Sequence, residues 1–125
     1  MNRLLVVLNT INGVIFIILG LLWVISPYEA GANFGILEIP EGLGRSSLIG
    51  DVGSYFFCIG VMMILAVYTL RSIWFYAPAM LLGVTALFRV ISWLAHDATF
   101  ATQFIIIEIF LIILLLATSK RMSSK

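Results

Sequence analysis

The stretch "LFRVISWLAHDATFATQFIIIEIFLI", residues 87–112, threads an arginine, a histidine, an aspartate and a glutamate through otherwise lipid-soluble chain. Two apolar runs flank the polar pair His96–Asp97, which reads as the turn of a helical hairpin in a membrane. At about 1.5 Å of rise per residue, Arg89 then lies opposite residues 105–107, within side-chain reach of Glu108. A lone charge at membrane depth costs several kcal/mol or more, whereas a paired and hydrogen-bonded one is tolerated. The stretch therefore predicts antiparallel spans with Arg89 and Glu108 facing each other inside a bundle.

The rest of the chain agrees. Of 125 residues, 62% are hydrophobic and 10% charged, more apolar surface than a soluble domain of this size can hide. A net charge of +1 provides no basic stripe, so no nucleic-acid partner is expected. Cys58 is the single cysteine, which rules out an internal disulfide, a CxxC redox pair and a thiolate metal cage. One histidine and scattered acids do not make a conventional metal site, and no cofactor is expected.

Crossing about 30 Å of hydrocarbon takes roughly 20 apolar helical residues. Four runs qualify, 4–25, 47–70, 73–95 and 99–118, in what reads as a single integral membrane domain over residues 1–125. The first run exceeds the roughly 7–15 residues of a signal-peptide core, so a retained helix is expected. Between the first two runs, "SPYEAGANFGILEIPEGLGRS" (26–46) breaks the helical pattern with prolines and glycines; an exposed loop with a short interfacial helix near 28–34 is expected. The remaining links are short, which favours an all-α, up-down-up-down transmembrane four-helix bundle. Arg3, Arg71, Lys120, Arg121 and Lys125 fall on one side, marking it cytoplasmic, with both termini there. Glu29, Glu38, Glu41, Arg45 and the His96–Asp97 turn fall on the other.

Depth counting puts Asp51, Arg89 and Glu108 in the outer half of three different helices. Helical spacing places Thr85, Ser92, Trp93 and His96 on the face of Arg89, and Ser47, Ser54, Tyr55 and Cys58 on that of Asp51. Asn9, Asn12, Gly13, Phe16, Gly20 and Trp23 form a stripe on the first span. The candidate ligand-binding residues are accordingly Asp51, Tyr55, Arg89, Trp93, His96 and Glu108.

Blander readings stand beside this one. Intramembrane polar residues often serve as interhelical glue worth on the order of 1 kcal/mol per contact. A polar turn at the membrane surface needs no further reason. Ser46, Gly50 and Ser54, with Gly53 and Gly60, mark the second span as closely packed within the chain or in an oligomer. Trp23, Trp74, Trp93, Tyr28 and Tyr76 read as interfacial anchors. Pro78 either opens the third span or kinks it. Ser92, His96 and Asp97 have no evident oxyanion hole, so no catalytic residue is assigned.

The segments "SPYEAGANFGI" (26–36), "GRSSLIGDVGSYFFCIG" (44–60) and "LFRVISWLAHDATFATQFIIIE" (87–108) resemble a bacterial family of small four-helix membrane proteins of unknown function, DoxX-like in layout. The matching features are Pro27, Phe34–Gly35, Arg45, Asp51, Gly53, Arg89, the His96–Asp97 turn and Glu108. The resemblance implies a glycine after the histidine, where this chain has Asp97. The resemblance implies the bundle and no established catalytic activity.

The function expected is therefore non-enzymatic: an inner-membrane protein whose buried polar site takes a small amphipathic molecule or lipid. The alternative is an accessory subunit of a larger membrane complex or a homo-oligomer, with the same charges fixing helix packing. Third comes an intramembrane isomerase or hydrolase, which needs His96 and Glu108 at one cavity.

Overall fold

The computed structural model describes residues 3–123. Its elements are α1 (Arg3–Ile25), the short α2 (Pro27–Ala32), α3 (Leu43–Thr69), α4 (Ile73–Ala95) and α5 (Thr102–Ser123), with no strand among the described residues. Four of these, α1, α3, α4 and α5, are long and apolar enough to cross a membrane, and the chain is an integral membrane protein built as an all-α four-helix bundle. Large apolar side chains on the outside, among them Val24, Met80 and Ile113, are what lipid-facing helices require.

Consecutive spans run antiparallel. One end of the bundle, the loop end, carries α2, residues 33–42 and the 96–101 link; the other carries the 70–72 turn and the last turns of α5. The short interfacial helix expected near 28–34 is α2, begun by Pro27 at its first position, where a missing N–H costs nothing. Arg45 ties the segment down by donating from Nε to the Pro40 carbonyl at 3.0 Å and from Nη2 to the Tyr28 hydroxyl at 2.9 Å.

The closest helix contact joins α1 to α3. The buried stripe of α1 is Asn9, Gly13, Phe16, Gly20 and Trp23, the expected one without Asn12, which is half-buried. Gly13 meets Gly60 and Gly20 meets Gly53, so that a Cβ on Gly60 would lie 2.5 Å from the Gly13 carbonyl oxygen and one on Gly20 2.7 Å from the Phe57 nitrogen. Small residues at these four positions let the two backbones touch, the main source of helix attraction where lipid removes the hydrophobic one.

Elsewhere the structure departs from expectation. Leu48–Gly53, within α3, is π-helical, and α3 starts at Leu43 and not at 47. Its 27 residues extend about 40 Å, longer than the roughly 30 Å of hydrocarbon requires. The fourth span begins at Thr102, not 99, and Pro78 lies inside α4, where it deprives the Trp74 carbonyl of its usual donor. Trp23 is fully buried and its indole N–H has no partner, so it is a core residue and not an interfacial anchor. Trp74 is half-buried, and Tyr28, Tyr76 and Trp93 lie at the surface.

Packing is uneven along the axis. On α4 the buried residues are Phe75, Pro78, Ala79 and Leu82, with none after Leu82. On α5 burial starts at Glu108 and continues through Leu111, Leu114, Leu115, Thr118 and Ser119. The bundle is thus solid toward the termini and hollow toward the loop end. Helices α1 and α5 barely touch; Asn9 Nδ2 donates to Thr118 Oγ1 at 3.0 Å at the solid end. At the hollow end the gap is filled by Phe34, whose ring lies 6.5 Å from that of Trp23 on α1, 5.1 Å from Phe56 on α3 and 5.5 Å from Phe104 on α5. Gly35, at φ 76°, turns the backbone out again after the insertion.

Gly60→Ala and Gly20→Ala should each lower stability by about 1–3 kcal/mol through backbone overlap. Gly50→Ala, which meets nothing within 4 Å, should leave it unchanged or slightly raised. Thermal unfolding in detergent distinguishes these outcomes. By the same assay Leu70→Gly should stabilise by roughly 0.5–1 kcal/mol, because Leu70 closes α3 in the left-handed conformation at φ 56° with its side chain exposed.

Candidate polar site at the loop end

The site is built around Arg89, six residues before the end of α4. The α4–α5 hairpin brings Glu108 across from it, and Arg89 Nε donates to both carboxylate oxygens, at 3.1 Å to Oε1 and 3.3 Å to Oε2. The guanidinium carbon lies 4.9 Å from the ring centre of Phe104, one turn from Glu108 on the same face of α5. Phe104 therefore holds the guanidinium plane from one side while Glu108 anchors its Nε edge. Glu108 is buried, and Arg89 keeps 29% of its side chain exposed.

This is an ion pair with capacity left over. One shared N–H is a weaker arrangement than the two-point fork available to arginine and a carboxylate. Among the described residues neither Nη nitrogen of Arg89 makes a hydrogen bond, which leaves four N–H donors for other acceptors.

Those donors belong to a residue that borders four neighbouring cavities. One of about 310 Å³ is flanked by Ile15 and Leu19 of α1 and Ile107 and Leu111 of α5, with Arg89 and Glu108 at its polar end. Ile15 and Ile107 are exposed, so this cavity lies at the α1–α5 gap on the lipid-facing side. A second, of about 410 Å³, lies between α3, α4 and the loop, bordered by Asp51, Tyr55, Thr85, Arg89 and Phe34 among others. Phe34, Tyr55, Phe56 and Arg89 form the shared wall of the two. The remaining two, of about 420 and 640 Å³, lie along Thr85, Ser92 and Thr99 and along Asn33 and residues 99–104 respectively.

Tyr55 completes the polar set. Thr85 Oγ1 spends its proton on the Leu81 carbonyl at 2.7 Å, so the 2.8 Å contact between the hydroxyls has Tyr55 as donor and Thr85 as acceptor. The Tyr55 oxygen thereby keeps free lone pairs and no free proton.

Of the six residues singled out by sequence, the structure brings four to these cavities: Asp51, Tyr55, Arg89 and Glu108. Asp51 sits in the π-helical turn of α3, exposed, and its carboxylate has no partner among the described residues. It does not join the Arg89–Glu108 pair directly but borders the same 410 Å³ cavity as Arg89. Trp93 and His96 border none of the four cavities. They share Arg89's face of α4 but lie beyond the point where α5 packs, so that Trp93 covers only Phe100 of the link, at 4.8 Å, and His96 is exposed. Asp97 takes φ 56°, the left-handed conformation for which the glycine expected at this position is the unstrained choice.

Sequence reasoning gave no site role to Phe34, Asn12, Asn33 or Phe104. A phenylalanine followed by glycine in a polar loop was the available signal for the first, and the four-residue spacing from Glu108 for the last. No three His, Cys, Asp or Glu side chains gather into a metal-holding group among the described residues. Comparisons of the chain with protein families, with curated proteins and with solved structures find no match.

Because Arg89 is partly exposed, Arg89→Leu or Glu108→Leu alone should cost on the order of 2–3 kcal/mol, below the roughly 3–5 of a fully buried pair. The double leucine variant should recover much of that loss. Additive losses in a double-mutant cycle would mean that the two groups do not act as a pair.

Proposed function

We propose that this is a non-enzymatic membrane protein that binds a small amphipathic molecule or lipid, its head group at Arg89 and its tail along the α1–α5 gap. The single observation that carries the reading is the unspent hydrogen-bonding capacity of Arg89 beside an apolar cavity that reaches the lipid-facing surface. A charge kept in hydrocarbon only to register two helices is best served by a saturated pair; two idle Nη groups are what a site awaiting an acceptor needs. The 310 Å³ cavity falls at the lower end of the range of small-molecule sites. Its wall of Ile15, Leu19, Ile107 and Leu111 offers lateral entry from the bilayer.

Cation placement supports an orientation with both termini cytoplasmic and the loop end outside, since Arg3, Arg71, Lys120 and Arg121 cluster at one end, as in a bacterial inner-membrane protein. The likeness to the DoxX-like layout fits the same reading. In a hydrolase or isomerase His96 and Glu108 would act at one cavity; His96 borders none that Glu108 reaches, which favours binding over catalysis.

One observation favours the second reading, an accessory subunit or homo-oligomer. Ser46, Gly50 and Ser54 lie exposed on one side of α3, and Gly50 touches nothing, so close approach by another helix is sterically open there.

Native mass spectrometry from mild detergent separates the two. Binding predicts a stoichiometric amphiphile adduct on the wild type that is lost from the Arg89→Leu/Glu108→Leu protein. A stable multimer without adduct, unchanged by the double substitution, would contradict binding and support assembly.

A further inference from the structure

Resting on the binding reading above, we infer that the site selects a zwitterionic phospholipid head group, its phosphate on the Arg89 Nη groups and its ammonium between Asp51 and Tyr55. The inference starts from what the 410 Å³ cavity presents. It has a donor pole at Arg89 and an acceptor pole at Asp51 and Tyr55. The Asp51 carboxylate makes no hydrogen bond or ion pair among the described residues, and the Tyr55 oxygen has lone pairs to offer once its proton is on Thr85.

Charge and hydrogen-bonding capacity together disfavour the simpler ligands. Arg89 and Glu108 already neutralise each other, so a purely anionic head group would add an uncompensated negative charge beside Glu108 and Asp51. A purely cationic one would leave the Nη donors idle. A head group with both charges satisfies both poles and adds no net charge. A phosphate suits the planar fork of arginine, and a primary ammonium suits a carboxylate and a phenolic oxygen.

The position of Asp51 in α3 points the same way. Leu48–Gly53 is the one π-helical segment among the described residues, and such turns recur at functional sites because they re-aim a side chain without ending the helix. Asp51 also lies in the first third of a helix longer than the hydrocarbon requires, toward its loop end. Phe34, Tyr55 and Phe56 border both the head-group cavity and the apolar one at the α1–α5 gap, so the two lie side by side.

The test uses purified full-length protein in neutral detergent and two amphiphiles with the same single acyl chain, lysophosphatidylethanolamine and lysophosphatidylglycerol. Affinities are read by native mass spectrometry titration, and free phosphoethanolamine is the arm without a tail. The wild type should prefer the ethanolamine lipid about five-fold, the scale of one partly exposed ion pair, and free phosphoethanolamine should bind far more weakly than either lipid. Asp51→Asn should erase the preference by weakening the ethanolamine lipid alone, and Asp51→Lys should reverse it toward the glycerol lipid. Asp51 is exposed and unpaired, so both variants are expected to fold, and unchanged thermal unfolding checks this. Equal binding of the two lipids by the wild type, or a preference that survives Asp51→Asn, overturns the head-group assignment while leaving amphiphile binding intact. Tight binding of free phosphoethanolamine overturns the lipid source. Binding of neither lipid overturns both this inference and the binding reading beneath it.

Discussion

An arginine placed in the interior of a membrane protein must find an acid, and most of this structure follows from how Arg89 meets Glu108. The pairing sets the register of the α4–α5 hairpin, because Nε can reach both carboxylate oxygens only when residues 89 and 108 stand at one height. It also fixes which faces of the two helices look inward. Below the pair the interior closes over Leu82, Leu111 and Leu115; around it the bundle stays hollow, bordered by aromatic rings in place of packed aliphatics. Guanidinium and cavities occupy the same region for one reason. A charged group with unused donors needs polarizable surfaces and room for an acceptor, and dense aliphatic packing offers neither.

Stability and capacity are divided along the axis and between helix pairs. The α1–α3 pair meets backbone to backbone at Gly13, Gly60, Gly20 and Gly53, a contact that leaves no room for a Cβ at Gly60 or Gly20. The α1–α5 boundary is held only at its ends, by Asn9 and Thr118 on one side and by Phe34 against Phe104 on the other. A bundle with one tight seam and one loose seam can admit a lipid chain at the second without disturbing the first. Phe34 belongs to a loop and not to a helix, so the closure of the loose seam depends on a segment held by Arg45, Tyr28 and the packing of Ile39 against Gly31.

Much of this was legible before any coordinates. Hydrophobic runs of spanning length identify the four long helices, the 3.6-residue period isolates the α1 stripe almost residue by residue, and the cost of a lone charge pairs Arg89 with Glu108. Four things were not legible, each for a physical reason. The π-helical turn at Leu48–Gly53 changes the phase of α3 ahead of Ser54, and among Asp51, Ser54, Tyr55 and Cys58 only Tyr55 is half-buried while the others are exposed. Trp23 has the composition of an interfacial anchor but lies on the glycine stripe, and the close approach of α3 encloses it. Trp93 and His96 have the correct angular position, yet angular position says nothing about whether a neighbouring helix extends that far. The insertion of Phe34 is a tertiary event: the phenylalanine–glycine pair marks the residue but not the gap it fills.

The central claim is that Arg89, anchored through Nε to a buried Glu108, holds its remaining N–H donors ready for an amphiphile. An experimental density map of the protein extracted in native lipid tests this most directly. The account predicts Nε within hydrogen-bond distance of Glu108 and elongated non-protein density that touches the Nη groups and continues into the α1–α5 gap. A guanidinium turned outward to the acyl chains, or separated from Glu108 by more than a bridging water, would contradict it.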